Sequence, residues 1–158
     1  MSIKHSKYIA NIFKQNGVPS GHIDGEMPEI EREEQLDKLD KGEIKVLSNC
    51  MVLTEGWDQP KVSCVIIARP TKSYSLYLQM VGRTLRPAPD KLDTLIIDHS
   101  GCVYEHGFPE DVPDWQLKVS KEKERKKKQP KPIDQQPFTC VQCDTVYKPI
   151  KDNPECPN

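Results

Sequence analysis

The chain has 158 residues, enough for one domain of ordinary size plus an appendage, and its 23 basic and 24 acidic side chains leave a net charge of −1. Such a balance excludes a polycation, so contact with a polyanion must come from local patches. No run of eighteen apolar residues and no signal-peptide core occurs in the sequence, so neither a membrane-spanning nor a secreted protein is expected.

Residues 3–16 predict an amphipathic helix, with Ile3, Tyr8, Ile9, Ile12 and Phe13 at helical spacing and Gly17 as its stop. A short strand ending at Ile23 and a turn at Asp24-Gly25 come next. Residues 28–41 predict a second helix, with Pro28 in the first turn, acids in its N-terminal half and Gly42 at its end. Strands follow at 44–48 and 62–68. The second is a nearly continuous β-branched run, which predicts burial on both faces of a parallel sheet. A helix over 73–85 is cut off by Pro87 and Pro89, and a strand covers 93–98.

The order α-β-α-β-β-α-β predicts an open α/β sheet with crossover helices. Domains of this kind begin with a strand, so the chain is expected to lack its opening strand. Beyond residue 108 the pattern fades into prolines and a basic run from Lys118 to Lys131, which reads as a linker over 109–137. Taken alone, that run is either a solvated linker or a phosphate-contacting strap.

Six cysteines fall into two groups. Cys50, Cys64 and Cys102 sit singly among apolar residues and read as small buried hydrophobes. Cys140, Cys143 and Cys156 lie in a polar, Pro-rich tail at 138–158, where packing gives no reason for them. A C-x-x-C turn presents two thiolates to one side, so the three predict a zinc site in a reducing, cytoplasmic setting. The tail stops where a fourth cysteine would stand, and a truncated ribbon is expected.

One string carries more chemistry than any other: Gln79-Met80-Val81-Gly82-Arg83-Thr84-Leu85-Arg86. Continued helix would put Arg83 and Arg86 on one face, with Gly82 leaving room for close approach. Two forked, permanently charged guanidiniums aimed at one point suit a polyphosphate or the charge that develops during phosphoryl transfer. The plain alternative is a solvated helix face that happens to hold two arginines.

Three blocks in order decide between them: residues 2–6 opening the first helix, Leu53-Thr54-Glu55-Gly56-Trp57-Asp58 after a strand, and the Gln79–Arg86 string. Their order and spacing resemble the second RecA-like domain of superfamily 2 helicases, which carries motifs IV, V and VI. The resemblance covers about residues 2–105 and, with the tail, implies three segments: 1–108 RecA-like, 109–137 linker, 138–158 ribbon. It implies ATP with Mg2+ bound between two RecA-like domains, the phosphate loop and magnesium ligands belonging to the other one. Arg83 and Arg86 match the arginine fingers, and Gln79 the residue that polices the nucleotide-bound interface. Gly56 and Asp58 match the motif V pair that couples ATP to nucleic acid. Thr54, Ser2 and Lys4 are phosphate-contact candidates, and Cys50 stands where many relatives carry a threonine.

No G-x-x-x-x-G-K-[ST] loop and no paired-acid motif occurs in the sequence, so the chain is expected to be inactive alone. A helicase second domain followed by a basic linker and a cysteine ribbon resembles RadD-type DNA-repair helicases of bacteria and phages. That likeness implies DNA, single-stranded or junction, as partner with RNA as the alternative, and a first RecA-like domain in cis or as a split subunit. A competing reading is an inert binding module made of a RecA-like remnant and a zinc ribbon.

Overall fold

The computed structural model describes residues 2–53, 57–111, 136–148 and 156. They fall into two compact units, Met1–Ser100 and Gly101–Asn158.

In the first unit α1 (Ile3–Gln15) starts at Ser2, whose hydroxyl accepts from the His5 N–H at 3.3 Å. It ends before Gly17, which takes the left-handed φ of 78° that a side chain would resist. Strand β1 (Ser20–Ile23) follows, then α2 (Glu29–Asp40) and β2 (Val46–Asn49). Strand β3 (Cys64–Ile67), α3 (Tyr74–Gly82) and β4 (Leu95–Asp98) complete the unit. β1 pairs with β2 and β3 with β4, both in parallel. Helices α1 and α2 pack on the first pair and α3 on β3, with Ala10, Ile23, Ile67, Tyr77 and Val81 as the buried apolar centre.

The element order is as the hydrophobic pattern predicts, but three details differ. The single open sheet is split, among the described residues, into two separate parallel pairs. The β3 run is not buried on both faces: Cys64 and Ile66 are exposed, because β4 covers one edge and α3 one side only. Cys64 is therefore no core cysteine, and Cys50 is only half-buried; Cys102 alone of the three is buried. On α1, Tyr8 is 62% exposed and Ile12 also faces water, while the buried positions are Ser6 and Ala10.

Polar chemistry explains that shift of the α1 face. The Ser6 hydroxyl lies 2.8 Å from His22 Nδ1 and 2.6 Å from Ser48 Oγ, tying α1 to β1 and β2. His22 Nε2 lies 2.8 Å from Asp24 Oδ2, and the other Asp24 oxygen accepts from the N–H groups of Glu26 and Met27. A small hydroxyl packs where a large apolar side chain would clash, and each buried polar atom finds a partner. Lys7 Nζ, 3.3 Å away, adds an ion pair to Asp24.

His22, the Glu26 N–H and Lys7 hold the Asp24 carboxyl at about 2, below its ordinary 3.8, against the opposing effect of burial. A carboxyl depressed in the folded state contributes stability above its unfolded pKa and loses it as pH falls through the folded value. Urea midpoints of the native chain should therefore drop between about pH 4 and pH 2, and Asp24→Asn should flatten that part of the profile.

Gly21 sits at the tightest point of β1. A Cβ there would meet the Gln35 side-chain carbonyl, Ile44 Cδ1 at 2.9 Å and Leu47 Cδ1 at 3.2 Å. Overpacking costs roughly 1–3 kcal/mol, and relief of glycine's chain entropy returns roughly 0.5–1 kcal/mol. Gly21→Ala is expected to lower stability by about 1 kcal/mol, read from the urea midpoint.

The second unit holds α4 (Cys102–His106) and an antiparallel hairpin of β5 (Phe138–Thr139) and β6 (Val146–Tyr147). Tyr104 Oη bonds the Thr139 hydroxyl, and Lys148 both pairs with Asp111 and lies 5.0 Å over the Phe108 ring. The hairpin is thus fastened to residues 104–111 by a hydroxyl pair, an ion pair and a cation–π contact.

Candidate functional site

The α3 end is built from anchors outward. Ser73 caps the helix, accepting from the Leu76 N–H, and Tyr77 and Val81 fix it through burial. The α-helix stops at Gly82, with Arg83 as its cap, and residues 83–86 form turns rather than continued helix. The Thr84 hydroxyl bonds Val81 O at 2.9 Å, and Pro87 disfavours helical backbone at Arg86. So Arg83 and Arg86 do not share a face of regular helix. They converge by another route.

Arg83 donates to the Trp57 carbonyl, and Arg86 pairs with the neighbouring Asp58 carboxylate. Both guanidiniums therefore meet the 57–58 segment. Lys91 holds the loop that carries them: its ammonium donates to Thr84 O, to Arg86 O at 2.9 Å and to Pro60 O at 3.1 Å. Thr94 Oγ1 adds a bond to Thr84 O at 2.7 Å. A lysine at a helix C-terminus satisfies the carbonyls that the helix leaves open.

The remaining residues of the motif reading are less tightly knit. Gln79 is exposed on α3, and nothing lies within 4 Å of a Cβ built on Gly82, so packing within the described chain does not demand that glycine. Ser2 spends its hydroxyl on the α1 cap, and Lys4 is exposed on the first turn. Cys50 follows β2, its N–H donating to Ile23 O at 3.2 Å. Thr54 and Gly56 lie outside the described residues.

Sequence reasoning missed Lys91, in a Pro- and Asp-rich loop with no periodicity, and Thr94, read only as part of a strand that in fact starts at Leu95. It also missed Ser6 and His22, which no local pattern pairs. The motif reading names Asp58 and Arg86 separately, and the structure pairs them.

In the second unit the sulfurs of Cys140, Cys143 and Cys156 lie within 4.8 Å of one another. Cys140 N–H donates to Thr145 O, and the Asp144 N–H returns to Cys140 O, closing a knuckle with Asp144 at φ 56°. The Thr145 hydroxyl and backbone and the adjacent Cys156 and Cys140 sulfurs lower the Cys143 thiol to about 7. A tetrahedral zinc with Zn–S near 2.3 Å spaces its sulfurs by about 3.8 Å. The Cys143–Cys156 separation of 3.5 Å is close to that.

A family model described as "Helicase conserved C-terminal domain" matches residues 1–88. The chain belongs to that helicase family. It is 40% identical over 98 residues to "Putative ATP-dependent helicase IRC3" of Saccharomyces cerevisiae, covering 62% of this chain and 14% of that protein. To the "51.5 kDa protein" of a Lactococcus phage it is 35% identical over 114 residues, 72% of this chain and 25% of the relative. This helicase domain thus spans a quarter or less of those relatives' length. Its fold is like that of S. cerevisiae Dbp5 bound to RNA and ADP BeF3, with a TM-score of 0.51 at 24% identity, covering 61% of this chain and 26% of that one. The architecture is accordingly the RecA-like fold of helicase C-terminal domains. No helix among the described residues is long and apolar enough to cross a membrane.

Proposed function

We propose that this chain is the arginine-bearing half of an ATP-driven motor whose phosphate loop and magnesium ligands lie on another RecA-like domain. The observation that carries the reading is the convergence of Arg83 and Arg86 on Trp57 and Asp58. A guanidinium has five N–H donors, so an Arg86 steered by one bond to Asp58 keeps others for phosphate oxygens. On closure against a bound triphosphate, these groups would offset charge on the transferring phosphoryl. Gln79, exposed on α3 ahead of them, would sense the nucleotide across the interface.

Residues 54–58 would link that site to a nucleic-acid strand. Ser2, Lys4 and Thr54 are the phosphate contacts we assign. DNA is our first substrate, in keeping with the narrower likeness to RadD-type repair helicases, and the partner domain would act in cis or as a split subunit. The tail is assigned to zinc, held by Cys140, Cys143 and Cys156, which would lock the hairpin in place.

The test mixes the chain with a RecA-like domain that carries a phosphate loop and follows DNA-stimulated phosphate release. Hydrolysis by the mixture, and none by this chain alone, is expected. Equal rates for the partner with and without this chain would contradict the shared site.

A further inference from the structure

Between α2 and the side chains of Val52, Leu53 and Trp57 lies a cavity of about 270 Å3. Its floor is Ile23, fully buried, and its walls include Leu36 and the half-buried Trp57. Its rim is charged, with Arg32 between Glu29 and Glu33. Among the described residues the Arg32 N–H donates to Pro28 O at 3.1 Å while its guanidinium has no ion pair or hydrogen bond, although two carboxylates share its helix face. Ile23 also anchors β1, so the floor is fixed to the sheet.

Apolar walls with an indole, one guanidinium and two carboxylates define a narrow class of ligand. The volume is below the roughly 300–1,000 Å3 of sites for drug-sized molecules, so a single ring system suits it and a whole nucleotide triphosphate does not. A flat base can stack on an indole, as bases do on aromatic platforms. Carboxylates accept hydrogen bonds from an exocyclic amino group, the cytosine N4 contact being the familiar case. A guanidinium at the rim can take the attached phosphate.

We infer that this cavity takes one unstacked, amino-bearing nucleobase of a bound single strand, with Trp57 as the stacking face, Glu29 and Glu33 as amino acceptors and Arg32 on the flanking phosphate. This rests on the reading that the domain contacts a nucleic-acid strand, and adds to it a base preference that backbone contacts cannot supply. Trp57 also joins the pocket to the arginines, because its carbonyl accepts from Arg83. Seating a base against its ring would act on the residue that Arg83 holds.

The chain has two tryptophans, so Trp115→Phe leaves Trp57 as the reporter. Emission and anisotropy are followed during titration with short single strands of oligo(dC), oligo(dT) and an abasic strand of equal length. Oligo(dC) should quench Trp57 and bind about fivefold tighter than oligo(dT), and the abasic strand should bind without quenching. Glu29→Gln with Glu33→Gln, both on the exposed rim, should equalise oligo(dC) and oligo(dT). Trp57→Phe, assayed with labelled strands, gives a second check: it should weaken oligo(dC) binding by about tenfold and narrow the gap between oligo(dC) and the abasic strand. Quenching by the abasic strand, or a cytosine preference that survives the double glutamine variant, overturns the pocket and leaves the strand-contact reading intact. Absence of binding by every strand overturns both.

Discussion

Replacing Arg86 by alanine should lower kcat of the reconstituted ATPase by about 10^3-fold while leaving KM for ATP within about threefold. Such a split follows from when the interaction forms. Charge builds on the transferring phosphoryl oxygens only as the bond to the leaving group breaks, so a group aimed there stabilises the transition state more than the ground state. Arg86→Lys should recover only part of the loss, because an ammonium lacks the planar fork that matches two oxygens. Asp58→Asn should cost less, about tenfold: the half-exposed pair with Arg86 is worth little to stability, but it sets the direction of the guanidinium. A rise in KM with unchanged kcat would instead mark Arg86 as a ground-state phosphate anchor.

The proposed zinc site gives the other large expected effect. The three sulfurs already lie close together, and the Cys143 thiol, at about 7, yields its proton readily near neutral pH. Structural zinc sites contribute roughly 10–16 kcal/mol at pH 7, which shared among four ligands is about 3 kcal/mol each. Cys143→Ser should therefore weaken zinc binding by on the order of a hundredfold or more, measured by competition with a chelating dye. Metal removal should also release the hairpin, which is otherwise fastened through Tyr104–Thr139 and Lys148–Asp111. Loss of near-ultraviolet dichroism from Tyr104 and Tyr147 on chelation would report it. Affinity that is unchanged in Cys143→Ser would remove that cysteine from the ligand set.

What the sequence revealed and what it hid follow one rule. A helix with an apolar period at 3–15 and a strand with a β-branched run at 64–67 were legible because both signals are local. The Gln79–Arg86 string stood out by its residue types, which are also local. Its geometry did not. The helix ends at Gly82 because Thr84 bonds back to Val81 and Lys91 gathers the Thr84, Arg86 and Pro60 carbonyls. Lys91 reaches Pro60 across 31 positions, a contact no window of sequence contains. Ser6 was hidden in the same way, since its partners His22 and Ser48 lie 16 and 42 positions away. The burial of β3 was overread: a β-branched run shows that a strand wants partners, not that both faces have them.

The central claim is that Arg83 and Arg86 complete an ATP site across a domain interface. Its most direct test is equilibrium association of this chain with a phosphate-loop RecA-like domain in the presence of ADP and aluminium fluoride, a mimic of the transferring phosphoryl. The account predicts tight, mimic-dependent association for the native chain and association weakened by at least about a hundredfold for Arg86→Ala, with both chains alike when ADP alone is present. Equal, mimic-dependent association of the native and Arg86→Ala chains would contradict it.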